Sequence, residues 1–122
     1  MLVAAQPLNL LAIVQDTDAV TTWHVVATDG TGYASVAAII AAGKRPWPFL
    51  PGGSMVNALS LESIAAAGGA GSQFYYAWNT TTTPTTGVSV VTGVRQVSPG
   101  MVYNLWIMKT VATDVIELSV FG

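Results

Sequence analysis

The chain has 122 residues, no cysteine, 52% hydrophobic residues, four basic and six acidic side chains, and a net charge of −2. This length suits a single domain, 1–122, and the lack of cysteine excludes a disulfide framework, a thiolate metal site and a cysteine nucleophile. The basic residues are too few and too scattered for a nucleic-acid-binding face. Because charged residues are only 8% of the chain, we expect a surface rich in Thr, Ser, Asn and Gln and, above all, other subunits that cover much of it.

Two strands are predicted near the N-terminus. The first lies in residues 1–15 and stops at the acidic turn Asp16-Thr17-Asp18. The second, residues 20–27, is rich in β-branched and aromatic residues and is closed by the turn pair Asp29-Gly30. We expect residues 1–30 to be either an antiparallel strand pair of the sandwich or an arm that reaches a neighbouring subunit.

A short helix is predicted in the alanine-rich segment GYASVAAIIAAGKRP. Ser35 is placed to cap its start and Gly43 to close its end, with Pro46 just beyond. A buried strand is the alternative, since apolar runs this short are ambiguous by periodicity. None of the apolar runs reaches the roughly 20 residues that a membrane-spanning helix needs.

The segment PWPFLPGG, residues 46–53, contains three prolines and is predicted to be a rigid connector rather than a central strand. A strand follows in residues 54–67, where Leu59 and Leu61 share one face, and the glycines of 68–71 predict a turn. Two further β-prone runs flank the threonine-rich residues 79–87, which we predict to be an exposed loop or edge segment because Pro84 lies among them.

The last two predicted strands, residues 101–108 and 115–121, are joined by KTVATD and read as a hairpin. Ile116, Leu118 and Val120 alternate with polar residues, as in a half-buried strand. The sequence therefore predicts an all-β fold: an antiparallel β-sandwich, jelly-roll-like, of about seven or eight strands with one short helix.

No catalytic, cofactor or metal signature is present. His24 is the single histidine and is expected to be an ordinary packed or surface residue. The acidic residues are expected on turns and solvent faces, and Asp16-Thr17-Asp18 lacks the further ligands of a calcium loop. We predict a protein without cofactors that is not an enzyme; an enzyme whose site is completed by another subunit is a weaker alternative.

The four tryptophans divide into two groups. Trp23 and Trp106 lie within β-prone runs and are expected in the core. Trp47, between prolines, and Trp78, beside the threonines, are expected to be contact residues, since aromatic side chains dominate both cores and interfaces.

The order of motifs in residues 31–122 resembles that of small structural proteins of tailed bacteriophage particles. These motifs are the alanine-rich segment, the connector PFLPGGS, the stretch YAWNTTTTPTTG, the turn VSPG and the end YNLWIM…DVIELSVFG. The resemblance implies a compact β-sandwich that decorates or cements a phage head, or a neck or tail component.

The resemblance also implies partners and a location. We expect a homo-oligomer, with a trimer favoured, that binds the major capsid protein or another virion protein, in a virion assembled in the host cytoplasm. Nucleic acid and membrane are not expected partners. The predicted interface residues are Arg45, Trp47, Phe49, Trp78, Thr80 and Thr83. The alternative is a receptor- or carbohydrate-binding β-sandwich of a phage fibre or tail, in which Trp47 and Trp78 would be exposed.

Overall fold

The computed structural model describes residues 10–49, 58–65, 73–90, 94–97 and 102–122. In order, these contain β1 (Leu10–Asp16), β2 (His24–Val26), β3 (Gly32–Tyr33), α1 (Val36–Ala41), β4 (Ala58–Ala65), β5 (Phe74–Trp78), β6 (Val88–Val90), β7 (Val94–Val97), β8 (Leu105–Lys109) and β9 (Val115–Phe121). Within the described ranges, one sheet has the order β1-β9-β4-β7 and the other the order β3-β2-β8-β5-β6.

The strands pair as nested antiparallel partners along the chain. β5 pairs with β6, β4 with β7, β2 with β8, and β1 with β9. The chain is thus one long hairpin, with β5 and β6 at its tip, wound into two facing sheets, which is the connectivity of a jelly roll. The predicted β-sandwich with one short helix is confirmed. The short β3 brings the strands in the described residues to nine rather than seven or eight.

The main core lies between the two sheets because each strand turns alternate residues inward. The four-stranded sheet contributes Leu59, Leu61, Ile116, Leu118 and Val120, all fully buried, so the alternation predicted for β4 and β9 is confirmed. The facing sheet contributes residues that include Phe74, Tyr76, Leu105 and Ile107. This shared core holds the two layers together.

Helix α1 covers the outer face of the five-stranded sheet. Ser35 caps the helix by accepting a hydrogen bond from the Ala38 backbone N–H, and Gly43 beyond its end has a φ of +75°, so the predicted helix and caps are confirmed. Ile39 packs against Val25, Ala27 and Trp106 in a second core cluster. The central strands β2 and β8 are therefore buried on both faces.

Two predicted strand pairings are wrong. β1 pairs with β9 rather than with β2, and β8 and β9 do not form a hairpin, because they belong to different sheets. The connection from Lys109 to Val115 crosses from one sheet to the other, as the jelly-roll winding requires. The second predicted strand is also shorter than expected, since β2 begins at His24.

The register brings the connector and the threonine loop to one end of the sandwich. Val25 and Ala77 both lie opposite Trp106, so β2 and β5 leave the sheet in the same direction. The segments that follow them, 27–49 and 79–87, therefore emerge together, and we call this the connector end. Most of residues 79–87 are exposed, which confirms the predicted loop. The glycine turn predicted at 68–71 lies outside the described residues.

Candidate functional site

The connector is held on the end of β2 by backbone hydrogen bonds. The Thr28 N–H donates to the Arg45 carbonyl at 3.0 Å, and the Trp47 N–H donates to the Val26 carbonyl at 2.9 Å. Pro46 forms an isolated bridge with Ala27 between these bonds. Proline cannot donate to a ladder, so the pairing stops after this short stretch and the chain turns away at Pro48 and Phe49.

An open groove of about 360 Å³ lies between the connector and the edge strand β1. Apolar side chains form most of its wall, and the lining residues are Leu11, Ala12, Thr28, Arg45, Trp47, Pro48, Phe49 and Val120. Arg45 is the only charged residue among them. The groove brings together three of the six predicted interface residues, which are Arg45, Trp47 and Phe49.

Arg45 and Phe49 form one exposed unit on the rim of this groove. The guanidinium carbon of Arg45 lies 5.3 Å from the centre of the Phe49 ring, within the range of a cation–π contact, and Phe49 is 47% exposed. The neighbouring Lys44 is bound to Asp29, whose hydrogen bond raises the pKa of Lys44 to about 12. Among the described residues Arg45 has no acidic partner.

Trp47 does not have the exposed position predicted for it. It is only 2% exposed and belongs to the main core, because the hydrogen bond from its N–H to Val26 draws the connector onto the sheet. Its indole Nε1 has no hydrogen-bond acceptor among the described residues. Trp106 is fully buried and Trp23 is partly buried against the second core cluster, as predicted.

The other three predicted interface residues lie at the end of β5 and on the threonine loop that follows it, at the same end of the sandwich. Trp78 is half-buried against Tyr76, with ring centres 5.2 Å apart, and with Thr80 and Thr83 it lines a shallow depression of about 330 Å³. The Trp106 indole donates to the Thr80 carbonyl at 3.0 Å, which ties the loop to the sheet. The contact role of these residues, and that of Arg45 and Phe49, stays a prediction.

A buried charged cluster at the opposite end was missed by the sequence analysis. Asp16, at the end of β1, is fully buried and contacts the His24 Nε2 atom of β2. Lys109, at the end of β8, is 1% exposed and places its Nζ 3.4 Å from Asp16 Oδ1. The same Nζ donates to the Asp18 carbonyl at 2.6 Å and to the Asp16 carbonyl at 3.3 Å.

The expectation that the acidic residues lie on turns and solvent faces is wrong for two of them, because Asp16 of this cluster and Asp114 are both buried. Residues 16 and 109 are far apart in sequence, so no local pattern could have paired them. The only available signal was an aspartate that ends one apolar strand and a lysine that ends another.

The geometry of His24 is that of a structural residue. Its Nδ1 lies 3.0 Å from the Thr22 carbonyl and its Nε2 contacts Asp16, so both ring nitrogens are occupied. Burial lowers the pKa of His24, but the hydrogen bond and charge of Asp16 outweigh it, and the net pKa is raised above 6.5. Such a ring has no nitrogen left to accept a proton from a substrate.

Two further observations bear on possible ligands. Among the described residues, no group of three or more His, Cys, Asp or Glu side chains is arranged to hold a metal ion. No helix in the same part of the chain is long and apolar enough to cross a membrane.

Comparisons with known proteins give no match. No family model, no curated protein sequence and no solved structure is similar to this chain at a significant level.

Proposed function

We propose that this chain is a non-catalytic structural protein of a tailed-bacteriophage particle, of the capsid decoration or cement type. It forms a homo-oligomer, with a trimer favoured, and docks on the major capsid protein or another virion protein. Its role is to stabilise the particle through many modest apolar contacts. The phage assignment rests on the order of the sequence motifs in residues 31–122.

The observation that carries the proposal is the exposed apolar edge of the four-stranded sheet. Leu10, Leu11 and Ile13 of β1 are 53%, 41% and 49% exposed. β1 has seven residues and contains neither lysine nor proline, the residues with which sheets commonly protect an edge. An exposed apolar strand in a chain with so few charges favours burial against another subunit.

The jelly-roll connectivity is compatible with this role, since viral capsid proteins use it widely. The same connectivity serves lectins and many other proteins, so the fold supports the proposal without identifying the function.

The second candidate is a receptor- or carbohydrate-binding domain of a phage fibre or tail. Trp78 and the surrounding threonine hydroxyls favour it, because a partly exposed indole beside neutral hydroxyl groups suits the stacking and hydrogen bonding of a sugar ring. A neck or tail structural component is a further variant of the main proposal. Saturable binding on a glycan array, lost in a Trp78→Ala variant, would favour the carbohydrate reading.

The main proposal is tested on purified particles of the phage that encodes the chain. An antibody raised against the protein should label intact particles in electron microscopy, in many copies per particle. Particles that lack the protein should release their DNA at a lower temperature, and adding the purified protein should reverse this loss. Labelling that is absent from intact particles would refute the virion role.

A further inference from the structure

The outer face of the four-stranded sheet carries a defined pattern of side chains. The register sets Ile13 beside Ser119, and Ser119 beside Ser60, in one row across three strands. The next row on the same face contains Gln15, Glu117 and Glu62. Helix α1 packs against the five-stranded sheet, so it does not cover the outer face of the four-stranded sheet.

The acidic row holds two like charges side by side. Glu62 and Glu117 are direct cross-strand partners in the antiparallel pairing of β4 and β9, and both are partly buried. Neither forms an ion pair with a described residue. Like charges directly opposite each other destabilise a sheet pair. A cation that lay between the two carboxylates would offset their repulsion and would itself be attracted to both.

The Arg45–Phe49 unit at the connector end has the complementary composition. It presents a guanidinium without an acidic partner among the described residues next to a half-exposed aromatic ring. Its two groups are 5.3 Å apart. Adjacent rows on one sheet face are two residues apart, or about 6.6 Å, so the unit can place one group on each row.

We propose that a second copy of this chain docks its Arg45–Phe49 unit on this sheet face. Arg45 of one copy lies between Glu62 and Glu117 of the next, and Phe49 covers the row of Ile13, Ser119 and Ser60. Ser119, only 7% exposed, and the partly buried Ser60 are short side chains over which the ring can lie, and Ile13, 49% exposed, becomes buried. This inference rests on the proposed homo-oligomer and names its contact.

The contact joins two different surfaces, so it is heterologous and generates a ring when the rotation between copies closes. The two surfaces are neighbours on each copy, since Leu11 of β1 lines the groove and Ile13 of β1 lies on the sheet face. Each copy therefore offers both halves of the contact. A second copy is the occupant that supplies the required charge and the required apolar group together.

The test is charge reversal on each half of the contact, read by light scattering on a sizing column over a hundredfold concentration range. We expect the wild-type protein to be oligomeric. Arg45→Glu alone and the double variant Glu62→Lys with Glu117→Lys should each have the monomer mass of 12.6 kDa. Mixing the two variants should restore complexes, because each then meets the opposite charge.

Lys44→Gln is the matched control, because it removes the neighbouring positive charge that is already bound to Asp29, and it should leave the mass unchanged. Near-UV circular dichroism checks that each variant is folded. If the double variant does not fold, Glu62→Lys replaces it with the same expectation. A monomeric wild type, or an oligomer that survives Arg45→Glu, would overturn the contact.

These outcomes are separate from those of the particle test. An oligomer that survives Arg45→Glu, together with labelled particles, refutes this contact and leaves the virion role standing. Assembly that is abolished by charge reversal, together with unlabelled particles, supports this contact and refutes the virion role.

Discussion

Replacing Asp16 by asparagine tests whether the buried charged cluster holds the two sheets together. The substitution keeps the size and shape of the side chain but removes its negative charge. Lys109 would keep its hydrogen bonds to the Asp16 and Asp18 carbonyls, yet its charge would lose the Asp16 carboxylate 3.4 Å away in a site that is fully buried. We therefore expect a large loss of stability.

The size of the loss follows from the geometry. At the observed Nζ–Oδ1 distance of 3.4 Å and an effective dielectric constant of about 20, the attraction between Lys109 and Asp16 is about 5 kcal/mol. Removing one partner of a buried ion pair generally costs about 3–5 kcal/mol. A domain is stable by only about 5–15 kcal/mol, so Asp16→Asn should remove a large part of the unfolding free energy.

Urea unfolding followed by tryptophan fluorescence measures this effect, with all variants at the same protein concentration because association also stabilises the fold. Asp29→Asn is the matched control, since its ion pair with Lys44 is on the surface, where such pairs contribute little to stability. If Asp16→Asn were as stable as the control at pH 7, the buried ion pair would not exist in solution.

Three further predictions concern single sites. Because the pKa of His24 is raised on folding, its contribution to stability is complete below about pH 6.5 and is lost as the pH rises through the folded pKa. His24→Gln should abolish this part of the decline of the unfolding free energy, measured with urea at pH values above about 6.5. Trp47→Ala should cost about 3–5 kcal/mol and weaken the near-UV circular dichroism, and a variant as stable as wild type would show that Trp47 is not in the core. Gly30→Ala should lower the melting temperature, since Gly30 has a φ of +89° and a Cβ there would collide with the Gln15 carbonyl; an unchanged melting temperature would contradict this close approach.

The features that the sequence predicted correctly are those encoded within a few residues. The Ser35 side-chain oxygen accepts a hydrogen bond from the backbone N–H of Ala38, only three residues later, so the start of the helix was predictable from the local sequence. The alternation of Ile116, Leu118 and Val120 marked the buried face of β9 without knowledge of its partners. The density of proline and threonine indicated where pairing must stop.

The candidate site was predictable only in part. Arg45 and Phe49 lie on an exposed rim at the segment where the prolines indicated a rigid connector. Trp47 lies two residues from both Arg45 and Phe49, yet it is buried because its backbone N–H donates a hydrogen bond to the Val26 carbonyl. Val26 belongs to a strand about twenty residues earlier in the chain, so no local pattern predicts this bond. Proline content predicts stiffness, but it does not predict which side chain of a stiff segment turns inward.

By itself the sequence determined that this chain is an all-β protein with one short helix, because local propensity and two-residue periodicity depend only on neighbouring residues. Tertiary structure alone decided which strands became partners: β1 lies beside β9, and β8 and β9 lie in different sheets despite a short connection. It also decided that Asp16 and Lys109, the ends of two strands from opposite parts of the chain, would share one buried site. Strand pairing is selected by the burial of whole faces, and any apolar strand can satisfy that requirement with several partners.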